Sequence, residues 1–547
     1  MIKFLHTSTK AILLAATLLT FSQCKKEESL MPLTTAHPKL ETLALAEYPI
    51  PALPASVPLK NMFGINAFEW DFLENPHDQN NRSVIYEAKM SLIKTFSGVR
   101  HYMDWEKLEN AEGSFTFNPT NAGGWNYDII YSRCKQEGMP VVADLKTVPN
   151  WLLETYPADQ RDNENVPAPY GAYLPDPASY YKQALVAFQF AARYGSNTAV
   201  DPWQVKVNTT PRWTNDPVNE KKIGLGLVKY IECDNERDKW WKGPATKQTA
   251  EEYAANMSAF YDGHKGTMGA NAGVKTADPN MLVVMGGIAT CDTMYVQRMI
   301  NWCKTNRGYR ADGSVNLCFD VINYHYYSSE GRVNPFVQGY KGIAPELSMA
   351  GEVADAFVRL GKAYGLPVWV TEAGYDVNQG SWQKVPPVGS KSVLLTQADW
   401  VLRTSLLYAR HGIQSLYHYL LFDANDGDPT QYATSGLNDP TKRRPAADYI
   451  LQTKNLMGDY SFVKNISKNP MVDQYTNGIK TMYVLVVPDQ KDRKATYKLD
   501  LGKGSYTASI YKPKPGANTM TKTTGLAIGG KLTVTVTETP MFIQSNQ

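Results

Sequence analysis

The sequence predicts an α/β chain in which a (β/α)8 barrel is followed by a small C-terminal antiparallel β-sandwich. Two observations carry this. Up to residue 457, short runs rich in β-branched and aromatic residues alternate with amphipathic helical stretches, eight of each, which is the pattern of parallel βα units and the number a closed barrel requires. After residue 458 no helical period is left, and alternating runs separated by Gly, Pro, Asn and Asp take over. A length of 547 residues exceeds one ordinary domain and accommodates a barrel plus a smaller module.

In chain order the strand runs are Met62–Phe68, Gly98–Trp105, Pro140–Val148, Leu227–Cys233, Met281–Ile288, Phe319–Tyr326, Pro367–Thr371 and Ile413–Leu421. Helical stretches are expected at Val84–Phe96, Tyr127–Glu137, Ser179–Tyr194, Ala250–Tyr261, Tyr295–Lys304, Pro345–Tyr364, Leu394–Arg410 and Pro445–Met457. A long insertion (197–224) precedes the fourth strand. In the C-terminal module the alternating runs are Val463–Ile466, Thr481–Val487, Ala495–Leu501, Ser505–Tyr511 and Leu532–Thr537.

The N-terminus reads as an export signal. Lys3 and Lys10 precede an apolar run from Ala11 to Phe21, too short to span a bilayer. It ends at Ser22-Gln23-Cys24, followed by Lys25-Lys26-Glu27-Glu28. A Cys directly after such a run resembles the lipobox of bacterial lipoproteins, and the charged tail resembles export tags of surface lipoproteins in some Gram-negative bacteria. The resemblance implies lipidation of Cys24 and an outer-membrane, cell-surface location, with a periplasmic or secreted protein as the alternative. The expected division is therefore a signal peptide (1–23), a tether (24–58) whose later part adds a strand to the sandwich, the barrel (59–458) and the sandwich (459–547). No later segment is apolar for long enough to cross a membrane, so contact with the membrane is expected only through the anchor.

Composition narrows the partners. A formal net charge of +3 and the absence of a basic run beyond the N-terminus exclude a nucleic-acid partner. Five cysteines follow Cys24, at 134, 233, 291, 303 and 318, with no CxxC; they read as core thiols and not as a disulfide frame or metal site. No Gly-x-Ser-x-Gly elbow and no Gly-rich phosphate loop follows a strand. A metal-dependent barrel hydrolase would need His-x-His after strand one, where this chain reads Ile65-Asn66-Ala67-Phe68-Glu69.

In a barrel, chemistry sits at the C-terminal strand ends. The fourth strand ends Glu232-Cys233-Asp234-Asn235-Glu236 and the seventh Val370-Thr371-Glu372-Ala373. Strands four and seven face each other across the barrel, so the two glutamates can converge over its axis. A carboxyl pair about 5–5.5 Å apart suits two-step retention, and one about 6.5–9.5 Å apart suits inversion. Glu232, four residues before Glu236, reads as a structural ion-pair residue.

Asn-Glu closing strand four and Thr-Glu closing strand seven resemble glycoside hydrolase clan A, with a layout similar to its families 39, 5 and 30. The resemblance covers about residues 60–458, and an appended β module is common among clan members. It implies a retaining glycosidase that cleaves a β-linked glycan and needs no cofactor or metal. Glu236 would be the acid/base, Glu372 the nucleophile and Asn235 a partner for the sugar 2-hydroxyl. Arg100 on strand two resembles the arginine that steadies the clan's nucleophile. His325 and Tyr326 fall where the clan places His or Tyr on strand six. The clan often reads Asn-Glu-Pro where this chain has Arg237, and often carries Trp at the end of strand eight, where Tyr417-His418-Tyr419 stands. Asp144 and Lys146 on strand three are polar groups where sugar hydroxyls would lie. Trp151 is a candidate stacking platform, as are Trp70, Trp105, Trp240 and Trp241. The alternative is a surface glycan-binding lipoprotein on the same barrel without catalysis; it keeps platforms but needs no carboxyl pair. In either case the partner is an oligo- or polysaccharide.

Overall fold

The computed structural model describes residues 48, 53–78, 81–332 and 341–546. The signal peptide and Cys24 lie outside the described residues.

Eight parallel strands form the barrel: β1 (Gly64–Ala67), β2 (Gly98–Asp104), β3 (Val141–Lys146), β4 (Tyr230–Cys233), β5 (Leu282–Met285), β6 (Ile322–His325), β7 (Val368–Ala373) and β8 (Ser415–His418). Their order is β5-β4-β3-β2-β1-β8-β7-β6. Single parallel bridges, Val284 to Val321 and Ile288 to Tyr324, join β5 to β6 and close the ring. The expected barrel is thus the observed one.

Side chains alternate across each strand, so every second residue points inward. At the N-terminal end the plug is apolar: Val142, Val284, Val321, Trp369 and Tyr417 pack together. Gly64 makes room for it, since a Cβ there would lie 2.4 Å from the Tyr417 ring. One layer higher the interior turns polar, with Asn66, Arg100, Asp144, Glu232, Asn323 and Thr371 all fully buried.

Helices wrap the barrel close to where the periodicity predicts them, for instance Tyr181–Tyr194, Ala250–Asp262 and Val393–Arg410. The second of these starts at a capping box in which Thr249 accepts from Glu252 N and Glu252 accepts from Thr249 N, and it ends on left-handed Gly263. The 197–224 insertion holds neither strand nor helix. Of the tether, Pro58 makes a single antiparallel bridge to Ser461.

The C-terminal module contains β9 (Ser461–Lys468), β10 (Met471–Thr476), β11 (Thr481–Val486), β12 (Ala495–Asp500), β13 (Thr507–Lys512), β14 (Thr521–Leu526), β15 (Lys531–Val536) and β16 (Met541–Ser545). One sheet runs β9-β10-β11-β16-β13-β14 and a second pairs β12 with β15. Between them lie Val472, Leu485, Leu499, Leu532, Val536 and Ile543. Tyr475, Met482, Val484 and Phe542, by contrast, belong to the same apolar core as the barrel. Arg410 ties the barrel to the module through Asp473 at 2.6 Å, and Gln452 does so by donating to the Lys514 and Ala517 carbonyls at 2.7 Å each.

Candidate active site

The site is organised around Arg100, whose side chain is completely buried. Its Nε donates to Glu232 Oε2 at 2.6 Å, and its Nη1 to Asn66 Oδ1 at 3.0 Å and Glu372 Oε1 at 2.8 Å. Its Nη2 donates to Asp144 Oδ2 at 2.9 Å and to Glu232 Oε1 and Asn235 Oδ1 at 3.0 Å each. Strands β1, β2, β3, β4 and β7 are thereby joined through one guanidinium.

Glu372 reaches this hub because β7 is irregular. Tyr324 pairs with Val370 but His325 with Glu372, so β7 holds one residue more than its neighbour at that point. Such a bulge re-aims side chains, and here Thr371 and Glu372 both face inward. Thr371 Oγ1 accepts from Asn323 Nδ2 at 2.7 Å and lies 3.0 Å from His325 Nε2. Glu372 accepts from Arg100, from the Tyr102 hydroxyl and from the Tyr327 hydroxyl, the last at 2.8 Å. Burial pushes its carboxyl up, but His325, Arg100 and the two tyrosine hydroxyls outweigh it and hold Glu372 below the usual glutamate range. It is built to stay ionised.

Glu236 is presented by a strained loop. Asp234 and Glu236 both have positive φ, 66° and 52°, which non-glycine residues rarely adopt and which clusters at functional sites. The loop is held from several sides. Arg237, fully buried, pairs with Asp234 and donates to the carbonyls of Glu164, Asn165 and Thr246. Glu236 N donates to Gly287 O at 3.1 Å. Arg237 is thus a buried clamp on this loop.

His325 bridges the two glutamates: its Nδ1 lies 2.8 Å from Glu236 Oε1 and 3.5 Å from Glu372 Oε2. Burial lowers its affinity for a proton, yet Glu372 and Glu236 raise it above the usual histidine value. Gly287 leaves space for the ring, because a Cβ there would sit 2.0 Å from His325 Nε2. One oxygen of Glu236, one of Glu372 and a nitrogen of His325 all lie within 4.8 Å of one another. Those three side chains are also spaced closely enough to hold a cation.

The other expected residues land as follows. Asn235 gives its oxygen to Arg100, which leaves the amide nitrogen as its outward donor. Tyr326 is buried with its hydroxyl accepting from Met349 N, so Tyr327, not Tyr326, is the tyrosine of this strand end that donates to Glu372. Asp144 is fully buried beneath Arg100, where a sugar hydroxyl does not reach it. Trp151 is half-buried, donates its indole N–H to Glu109 O and sets its edge on Trp105; Trp105 itself is buried. Trp240 and Trp241, 66% and 51% exposed and perpendicular to each other, stand just beyond the Glu236 loop. Tyr102 and Tyr327 are site residues that the sequence did not single out, while Glu232 is the ion-pair residue it was expected to be, with Arg100 as its partner. Tyr419, half-buried, meets Tyr102 edge-on at 6.3 Å. Asp423, first residue of the acidic 423–428 loop, is bound by Arg444 at 2.6 Å.

Lys146 Nζ lies 4.8 Å from the Tyr102 ring centre and leads into a polar cleft of about 820 Å³ lined by Asp104, Lys146, Asn150, Glu164 and Lys242. Another cavity, about 690 Å³, is at the opposite end of the barrel among Gly98, Tyr230 and Trp369, and contains neither glutamate.

No protein-family model matches the sequence, and no curated protein does. Solved structures do match. A family 39 glycoside hydrolase from the gut symbiont Bacteroides cellulosilyticus WH2 superposes with a TM-score of 0.57 at 14% identity, over 90% of this chain and 81% of that one. The barrel is glycosidase-like. AbfB, a family 51 alpha-L-arabinofuranosidase from Bifidobacterium longum, gives a TM-score of 0.50 at 14% identity over 90% of this chain and 98% of its own. The catalytic domain of a family 30 xylanase C from Talaromyces cellulolyticus gives 0.50 at 10% identity over 90% and 98%. At such identities the glycosidase-like barrel is a shared fold.

Proposed function

We propose that the protein is a retaining glycoside hydrolase acting on a β-linked glycan by double displacement. The observation that carries this is the pair Glu236 and Glu372, with one carboxylate oxygen of each within 4.8 Å of the other across the barrel mouth. A gap this short favours direct attack over placing a water between the carboxyls. Glu372, kept ionised, attacks the anomeric carbon while Glu236 protonates the departing glycosidic oxygen. Glu236 then takes a proton from water, whose oxygen displaces Glu372 and releases the sugar. The Asn235 amide is oriented to donate to the 2-hydroxyl, and Trp240 and Trp241 offer stacking faces beyond the cleaved bond. The reaction requires neither an organic cofactor nor a catalytic metal.

The test is a polysaccharide panel with product sizing, run on the wild type and on Glu236→Gln and Glu372→Gln. Cleavage by the wild type that both substitutions abolish, with binding retained, supports the proposal. Glycan binding without cleavage in the wild type favours the non-catalytic, surface glycan-binding reading. We further propose export and tethering to the outer membrane through lipidated Cys24, facing the cell exterior. Among the described residues no helix is long and apolar enough to cross a membrane. Radiolabelled palmitate incorporated by the wild type and not by Cys24→Ser is the expected result.

A further inference from the structure

Three carboxylates touch the Arg100 guanidinium, and their surroundings are unequal. Glu232 receives five donors: Arg100 Nε and Nη2, Gly287 N at 3.0 Å, Asn323 Nδ2 at 2.8 Å and Thr371 Oγ1 at 3.3 Å. Glu372 receives Arg100, Tyr102 and Tyr327, with His325 beside it. Asp144 receives Arg100 Nη2 alone, on Oδ2. Its Oδ1 is buried and has no hydrogen-bond partner, and its side chain has no solvent exposure.

The groups facing Asp144 do not rescue an ionised Oδ1. In register on β2 is Tyr102, whose hydroxyl is given to Glu372; in register on β4 is Glu232, an anion. Asp234, in the loop that follows β4, is paired with Arg237. Lys146 on the same strand sits over the Tyr102 ring, with its ammonium 3.8 Å from Asp104. An oxygen that carries charge without a partner in a dry site is far more costly than the same oxygen in a neutral acid. Burial accordingly pushes the Asp144 carboxyl well above the usual range, further than Arg100 pulls it down.

We propose that Asp144 is a neutral carboxylic acid in the working protein, a positioning residue that fixes Arg100 Nη2 while leaving the guanidinium charge to Glu232 and Glu372. With Asp144 protonated, the Arg100 guanidinium faces two carboxylates, Glu232 and Glu372, and not three. With Asp144 ionised, a third negative charge would lie beside the nucleophile's cation.

The experiment compares full-length wild type with Asp144→Asn, whose amide copies the neutral acid. The infrared difference spectrum at neutral pH should contain a protonated-carboxyl C=O band present in the wild type and lost in the variant. If the proposal holds, the acid limb of the Asp144→Asn pH profile does not move, because no charge has been removed. Absence of the band overturns the proposal. So does an acid limb displaced to lower pH, since removing a neighbouring anion would make Glu372 easier to ionise. If Asp144→Asn does not fold, Asp144→Ser serves the same spectral subtraction. Only the kinetic arm rests on the glycosidase reading, and the infrared arm stands if hydrolysis fails.

Discussion

Replacing Tyr327 by Phe removes one oxygen and one hydrogen bond, the 2.8 Å donation to Glu372 Oε2. The ring stays packed against Tyr432, with centres 4.2 Å apart, so the fold has no reason to change. A hydrogen bond to a charged acceptor in a buried site is worth ~1.5–3 kcal/mol, and one pH unit corresponds to about 1.4 kcal/mol. Arg100 and Tyr102 still hold the other oxygen, which places the expected effect at the lower end. The acid limb of kcat/KM, which reports the free enzyme's groups, should therefore move up by about one pH unit. The sign follows from the linkage: Glu372 is held low in part by this hydroxyl, and losing the donor raises it toward the ordinary value. At neutral pH Glu372 remains ionised and kcat/KM changes little. The assay is a kcat/KM profile on whichever glycan the panel identifies, alongside a carbon-13 NMR titration of labelled glutamate that needs no substrate. An acid limb that stays put, or moves down, refutes the assignment of Tyr327 as a support of the Glu372 carboxylate.

Further expectations concern stability. Arg237→Met strands the buried Asp234 carboxylate and frees three loop carbonyls; urea unfolding should register a loss of about 3–5 kcal/mol, and kcat should fall because Glu236 loses its backbone support. His418 is kept neutral by burial, with its pKa lowered from 6.5 to about 4. Its contribution is whole above 6.5 and is lost as pH drops toward 4, because the unfolded chain takes up a proton that the folded one refuses. Thermal scans across that window should show Tm declining, and His418→Gln should decline less steeply. Arg410→Ala leaves Asp473, 2% exposed, without its cation and should lower stability by about 3 kcal/mol in the same urea assay.

Much of the barrel was legible because its signals are local. Each strand run is a short apolar stretch and each helix repeats every three to four residues, so the eight units could be read off directly. Glu236 and Glu372 stood out because each follows such a run. The choice of Tyr326 over Tyr327 neglected alternation: Asn323 and His325 face inward, so the same face continues at 327. Tyr102 follows Arg100 by the same rule. The inward turn of both Thr371 and Glu372 was not legible, because a bulge depends on how β7 meets its neighbours and not on its own residues. Glu232 was legible as an ion-pair residue, but its partners were not, since its five donors come from β2, β6, β7 and the segment after β5. In the C-terminal module β10, β14 and β16 were not anticipated. Strand β14 buries almost nothing and so has no apolar face to alternate, while β16 has a buried run of Met541, Phe542 and Ile543 with no polar face.

The apolar contacts that run unbroken from the barrel helices into β10, β11 and β16 bear on what the second module is for. Elements fused in this way do not swing on a hinge, so any glycan surface the module carries would keep a fixed bearing to the catalytic mouth. A chain cut after Gly458 would bare the flank that Tyr475, Met482, Val484 and Phe542 now cover. The smallest piece to express is therefore the barrel together with its companion.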